Sequence, residues 1–397
     1  MSRIGRLSAV VFAGIALAGC PGKGPLKLGA VLPLTGQHEV YGQAIRKGVE
    51  LAYEHAKADE TAPRVELVLR DSASDPETAR KRLTEVYELG AIAAIGGVTS
   101  SEALAMVEIT DDKRRVLLSP SASLPQLSGI SENFFRVYPS DFSEGTVMAR
   151  YAYDRLNQRT GVILSKEETY AKGIQQVFTD EFQRKGGKIL EIVDFPPGTR
   201  DFAALADRAV TLKPDFVYVA AYAEEASRLI AQLAAHQFSG HVLTTSSIAA
   251  SETLQRMGAA AEGIFFTQTS FDPGGAKAPE QVQRFVTAYK AKYGQDPDIY
   301  AAHGYDAFMI LVQAIRQGGD SALAFWKGMR NIHEYPGVTG ALQFDDKGDV
   351  QKFPHVYIVR EGKAIDDEVM RQEQIDAARA EMERLERELR KLQNQGS

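Results

Sequence analysis

The chain reads as an α/β protein of two doubly wound lobes, and three observations predict it. Apolar strand-like runs alternate with helical stretches over residues 26–123, and the same alternation returns over residues 160–247. Such a series favours a mostly parallel sheet with helices on both faces. At 397 residues the chain is also too long for one small core.

The first series opens with the apolar run Leu26-Lys-Leu-Gly-Ala-Val-Leu-Pro-Leu and a loop from Thr35. Ile45, Val49, Ala52 and Tyr53 keep helical spacing over residues 43–56. A strand starts at Arg64, and Pro76 is placed for the first position of a helix. Two further strands end in small hydroxyl residues: Ile95-Gly-Gly-Val-Thr-Ser-Ser, and Val116-Leu-Leu-Ser-Pro-Ser-Ala-Ser. Ser100 or Ser101 is expected to cap the helix over residues 102–112, leaving first-turn N–H groups to face an anion. Strand carboxyl ends are where ligands bind in open α/β sheets, so residues 95–123 read as half of a small-anion cradle.

Near Phe135 the chain crosses into a second unit of the same kind, with strands at residues 160–165, 188–195, 215–222 and 241–247. Three helical segments follow, near residues 280–292, 299–317 and 321–331. Gly340-Ala-Leu-Gln-Phe and Pro354-His-Val-Tyr-Ile-Val-Arg are expected to pair as a hairpin around Asp345-Asp-Lys-Gly-Asp. In residues 366–395, Ile375, Ala378, Met382, Leu385, Leu389 and Leu392 follow alternating three- and four-residue steps. This is a short coiled-coil seam suited to self-association, or the face of a helix packed on the body.

The N-terminus reads as an export signal. Arg3 and Arg6 precede an apolar run from Leu7 to Leu17 that is too short to span a bilayer. It ends in Leu17-Ala-Gly-Cys20, which resembles the bacterial lipobox and makes Cys20 the expected lipidation site. Cys20 is the single cysteine. A lipid-anchored place in the bacterial cell envelope, facing the periplasm or the exterior, is therefore expected.

The formal charge of −6 gives no basic surface for nucleic acid. The seven histidines are scattered without metal-ligand spacing, and no nucleophile elbow, zinc-protease motif, phosphate loop or dinucleotide fingerprint occurs. Neither enzyme chemistry nor a cofactor is indicated.

The order of several pieces carries a resemblance: Gly29-Ala-Val-Leu-Pro-Leu-Thr-Gly with Tyr41 and Gly48, Asp71 with Asp75-Pro76, both hydroxyl runs, Tyr170-Ala-Lys-Gly, Asp215-Phe-Val-Tyr, and the stretch from Gly340 to Asp349. Over roughly residues 26–362 the chain resembles type I periplasmic solute-binding proteins of the leucine/isoleucine/valine-binding group. The resemblance implies two lobes, three crossings and a ligand cleft that closes on a solute bound for an ABC importer's membrane subunits. The implied division is signal peptide 1–19, tether 20–26, lobe one 27–139 and 269–338, lobe two 140–268 and 339–364, and a charged C-terminal helix 365–397. It implies that an amino acid or small carboxylate is held by Ser100, Ser123 and the backbone of Ser121, with Tyr41, Tyr170 and Tyr222 lining the cleft. Where branched-chain binders place a Glu for the ammonium, this sequence has Thr245-Ser246-Ser247, so Ser246 joins the candidate site without supplying a charge. Asp141 or Glu224 could supply the acid; if neither faces the cleft, the solute is a carboxylate without an amine, such as an aromatic or aliphatic acid, and Asp141 reads equally well as the N-cap of its helix.

Overall fold

The computed structural model describes residues 24–271, 273 and 278–395. The export signal, Cys20 and most of the tether lie outside the described residues. The first lobe runs β1 (Leu26–Leu32), α1 (Glu39–Ala58), β2 (Val65–Asp71), α2 (Pro76–Glu88), β3 (Ala91–Gly96), α3 (Ser100–Lys113), β4 (Val116–Ser119) and β5 (Phe134–Arg136). Its parallel sheet has the order β2-β1-β3-β4-β5. β3 is buried along its whole length, as a strand covered on both faces must be. The order reverses between β1 and β3, so a crevice opens where the loops after those two strands diverge.

The second lobe starts with α4 (Asp141–Arg150), which continues as a π turn over Tyr151–Arg155. It proceeds through β6 (Thr160–Lys166), α5 (Thr169–Arg184), β7 (Lys188–Phe195), α6 (Ala203–Leu212), β8 (Phe216–Ala220), α7 (Ala223–Ala235), β9 (His241–Thr244), α8 (Ser251–Met257) and β10 (Phe265–Thr269). Three helices follow, α9 (Glu280–Tyr293), α10 (Ile299–Gly318) and α11 (Ala322–Arg330), and then β11 (Tyr335–Gly337), β12 (Gly340–Leu342), β13 (Pro354–Arg360), β14 (Lys363–Asp366) and α12 (Asp367–Gln395). The second sheet has the order β14-β13-β10-β9-β8-β6-β7, with its reversal between β6 and β8.

Helix α10 returns to pack on α1 of the first lobe. A Cβ on Gly48 would stand 1.9 Å from Ala301 O, and one on Gly304 would stand 2.4 Å from Ile45 O. Glycine at both positions lets the two backbones touch.

The expected hairpin forms at its turn, where Phe344 and Val350 bridge antiparallel and Gln351 N donates to Gln343 O at 3.0 Å, but residues 340–342 and 354–360 do not pair with each other. β12 pairs with β11, while β13 pairs antiparallel with β10 and β14. The intervening turn lies instead against β5, where Asp349 bridges to Arg136 and Phe344 meets the Phe135 ring edge-on at 5.3 Å. Arg136 is the physical reason. It is completely buried, and Asp349 is the carboxylate that satisfies it: Nε lies 2.6 Å from Oδ1 and Nη2 lies 3.0 Å from Oδ2. Nη2 also donates to Ser128 Oγ at 2.7 Å and Nη1 to Leu124 O at 3.0 Å.

Helix α12 rests on lobe two only at its start. Asp367 accepts from Tyr151 Oη at 2.5 Å and from Arg371 Nε at 2.5 Å. Beyond that anchor Ile375, Met382 and Leu385 are exposed.

Replacing Arg136 with alanine strands Asp349 and two buried carbonyls. The expected loss is about 3–5 kcal/mol in urea unfolding, the cost of breaking a buried pair from one side. A loss below about 1 kcal/mol, the size of a surface pair, would show that the turn does not depend on it.

Candidate functional site

The two lobes meet through the loops at the carboxyl ends of their strands. Tyr41, Ser100, Ser121, Ser123, Tyr170, Tyr222 and Ser246 line one cavity there, together with Ser247 and Tyr300. A wider hollow lies at the opposite, amino-terminal ends of the lobe-two strands, between Lys213, Phe238 and His241. It is remote from both switch points.

The hydroxyl loops are laced together. Gly97 has φ +66°, and a Cβ there would sit 2.8 Å from the Ala103 backbone, so only glycine makes this turn after β3. Thr99, rather than Ser100 or Ser101, caps α3. Its Oγ1 accepts from Glu102 N at 3.2 Å, while Glu102 Oε2 accepts from Thr99 N at 3.2 Å. This capping box satisfies Thr99 and Glu102 and leaves the Ser100 N–H for the cleft. Ser119 Oγ donates to Gly97 O at 2.7 Å and Ser121 Oγ to Val98 O at 2.7 Å, which fixes the second loop on the first. The Ser121 hydroxyl is thus committed to the scaffold.

Tyrosines close the cleft from both sides. Tyr41 Oη donates to Ser247 O at 2.9 Å and accepts from Ala223 N at 2.8 Å. Tyr222 Oη accepts from Ser100 N at 3.4 Å, standing at the N–H where an anion would sit. Tyr300, in the first turn of α10, donates to Ser246 O at 3.0 Å. The Tyr170 and Tyr222 rings stack with centroids 4.7 Å apart. Burial pushes all four phenols above their usual range, so they remain protonated donors.

Asp141 is not the cap of α4. Ser140 caps that helix, its Oγ accepting from Phe142 N at 3.3 Å. Asp141 takes the first helical position, its N–H donating to Ser123 O at 2.7 Å. Its carboxylate is fully buried and forms no hydrogen bond of standard geometry and no ion pair, with the Ser123 hydroxyl as its nearest donor. Burial raises its carboxyl to about 7, against the lowering effect of the Ser123 hydroxyl and Arg136. One turn on, Glu144 is equally buried, accepting from Tyr138 Oη and, at 3.3 Å, from Ser246 Oγ. Burial raises its carboxyl too, followed by the neighbouring Asp141 charge. Glu224, the other candidate acid, is exposed and pairs with Arg228 at 3.3 Å. Sequence reasoning missed Glu144 and Tyr300. Glu144 could have been found from its spacing, one turn after Asp141, whereas Tyr300 carried no signal because it acts across a fold contact.

Among the described residues no group of three or more His, Cys, Asp or Glu is placed to hold a metal. No described helix is long and apolar enough to cross a membrane.

Two doubly wound lobes whose switch points face each other across a hydroxyl- and tyrosine-lined cleft define a two-lobed solute-binding protein. The model of the periplasmic binding protein family matches residues 25–363, and the chain belongs to that family. The leucine-, isoleucine-, valine-, threonine- and alanine-binding protein of Pseudomonas aeruginosa is 26% identical over 356 residues, covering 88% of this chain and 94% of its own. A leucine-binding protein from Thermotoga maritima has a similar structure, with a TM-score of 0.80 at 29% identity, over 86% of this chain and 97% of its own. A solute-binding protein of an R. palustris ABC transporter, solved with benzoate, shares the fold with a TM-score of 0.78 at 20% identity, over 87% of this chain and 96% of its own. These relatives are binding proteins rather than enzymes, and the family is periplasmic.

Replacing Tyr41 with phenylalanine leaves the Ala223 N–H and the Ser247 carbonyl unpaired in the closed form. The closed state should weaken by about 1–3 kcal/mol, the desolvation cost of such groups. Small-angle scattering should show a larger radius of gyration without solute. An unchanged radius would mean that this hydroxyl does not hold the lobes together.

Proposed function

We propose that the chain captures an α-amino acid in the interlobe cleft and delivers it to an ABC importer. The carrying observation is Asp141: a fully buried carboxylate in no ion pair, joined through its N–H to Ser123 of the anion cradle. A buried charge of this kind is costly unless a counter-charge completes it. A solute ammonium against Asp141 and Glu144 does so, while its carboxylate reaches the Ser100 N–H and the Ser123 hydroxyl. The relatives from P. aeruginosa and T. maritima are named for amino acids. An amine-free acid such as benzoate, seen in the R. palustris protein, would bring a third negative group to the two acids. We assign Cys20 as the lipid anchor, with the membrane subunits of the importer as partners.

The free face of α12 favours a second reading, a ligand-sensing envelope module that pairs through residues 366–395. Ile375, Met382 and Leu385 lie exposed along one heptad seam, beyond the residues that the family model matches. A sedimentation mass of a dimer that reverts to a monomer on deletion of 366–395 supports this reading, and a monomer in both forms removes it.

Proton linkage tests the amino-acid reading directly. Asp141 titrates at about 7 without solute. An ammonium beside it favours the ionised form, so binding releases a proton below that pH. Affinity for L-leucine should therefore rise as pH goes from about 5 to 7 and level off above, with calorimetry in two buffers reporting proton release. Benzoate would show the opposite sign, with proton uptake. Binding of benzoate but of no amino acid would overturn the proposal.

A further inference from the structure

The lobe-two switch point carries a second charged cluster that head-group recognition leaves unused. Lys166 ends β6, Glu168 immediately precedes α5, and Glu225 lies in the first turn of α7. Lys166 is 1% exposed, and its Nζ stands 2.9 Å from Glu168 Oε2 and 2.9 Å from Glu225 Oε1. Burial disfavours its charge, but the two carboxylates outweigh this and raise the amine. Two acids against one cation leave the group net negative.

The cluster stands against the Tyr222 ring, which lines the cleft cavity, although its own residues do not. Lys166 Nζ lies 5.8 Å from the centroid of the Tyr222 ring, and His38 of lobe one meets the same ring at 4.5 Å. Burial, then the Lys166 charge, hold His38 down at about 4, so its imidazole is neutral. Asp141 and Glu144 act on Tyr170, the ring stacked against Tyr222, and Asp141 acts on Tyr222 as well. The aromatic stack therefore stands between two acidic groups, one beside the lobe crossing and one beside His38.

Two buried atoms at the His38 end lack partners: Glu168 Oε1 and His38 Nδ1. No hydrogen bond joins the imidazole to Glu168 or Glu225 among the described residues, so the lobes are not latched here by an ion pair. An acceptor left open beside a net negative charge calls for a donor. The leucine-type side chain has none to offer.

We propose that Lys166, Glu168, Glu225 and His38 form a second subsite, which takes a hydrogen-bond-donating group, ammonium or amide N–H, at the far end of the solute's side chain. The proposal rests on the amino-acid reading above, with the α-ammonium at Asp141 and the side chain running along the Tyr170–Tyr222 stack. The cleft then prefers a long polar amino acid to an aliphatic one of the same length.

Calorimetry of the full chain at neutral pH with L-norleucine, L-lysine and L-glutamine tests this, because lysine is norleucine with a terminal ammonium in place of hydrogen. Lysine or glutamine should bind at least about tenfold tighter than norleucine, a difference of roughly 1.4 kcal/mol. Glu168→Gln should abolish the preference for lysine and leave norleucine within about twofold, a change near 0.4 kcal/mol. Norleucine binding as tightly as both polar solutes overturns the subsite alone. So does a variant that weakens all three by one factor, which would make the cluster a closure element. Binding of none of the three overturns the amino-acid reading and the subsite with it.

Discussion

Helix α10 carries a short polar row on which both lobes depend. His303 is fully buried, pairs through Nε2 with Thr269 Oγ1 at 3.1 Å, and receives the Tyr138 ring edge-on at 5.1 Å. Thr269 ends the last strand before the second crossing, and Tyr138 lies in the first. One turn on, Asp306 accepts from Val338 N at 2.7 Å, Thr339 N at 2.9 Å and Thr339 Oγ1 at 2.5 Å. Lys352, in the third crossing, donates to that same Thr339 hydroxyl. Burial lowers the Lys352 amine to about 8, and the Asp306 charge alone supports it. All three crossings thus converge on one helix, and the glycine contact with α1 holds that helix in lobe one. Tyr300, one turn before His303, carries the same helix across to Ser246 of lobe two.

That arrangement explains what the sequence showed and what it hid. The βα alternation was legible because each strand and helix is set by local periodicity, and the resemblance to solute-binding proteins added the cleft. The hydroxyl loops were legible as strand ends. Their wiring was not: three candidate residues of similar chemistry stand at 99–101, and only the reach of Glu102 selects Thr99 as the cap. Asp141 could be read two ways because Ser140 and Asp141 are both good caps, and the fold decides by giving the cap to Ser140. The expected turn at Asp345-Asp-Lys-Gly-Asp formed, but its docking on β5 was not legible, since Arg136 lies far upstream of the turn it captures. Glu144 was readable one turn after Asp141, whereas Tyr300 sits on a helix whose sequence spacing signals only an amphipathic face.

The cleft's electrostatics follow from where its charges sit. Four acids and one lysine stand on lobe two, whereas lobe one offers N–H groups and hydroxyls of the opposite preference. Tyr222 Oη meets the Ser100 N–H, whereas Asp141 has only the Ser123 hydroxyl and the more distant Arg136 acting on it and forms no ion pair. On the proposed amino-acid reading, a zwitterion would answer both ends, replacing a phenol by a carboxylate and bringing an ammonium to the acids. Its gain in the closed form exceeds its gain in an open form, where water already solvates the same groups. That difference is what lets a solute shift the population toward closure.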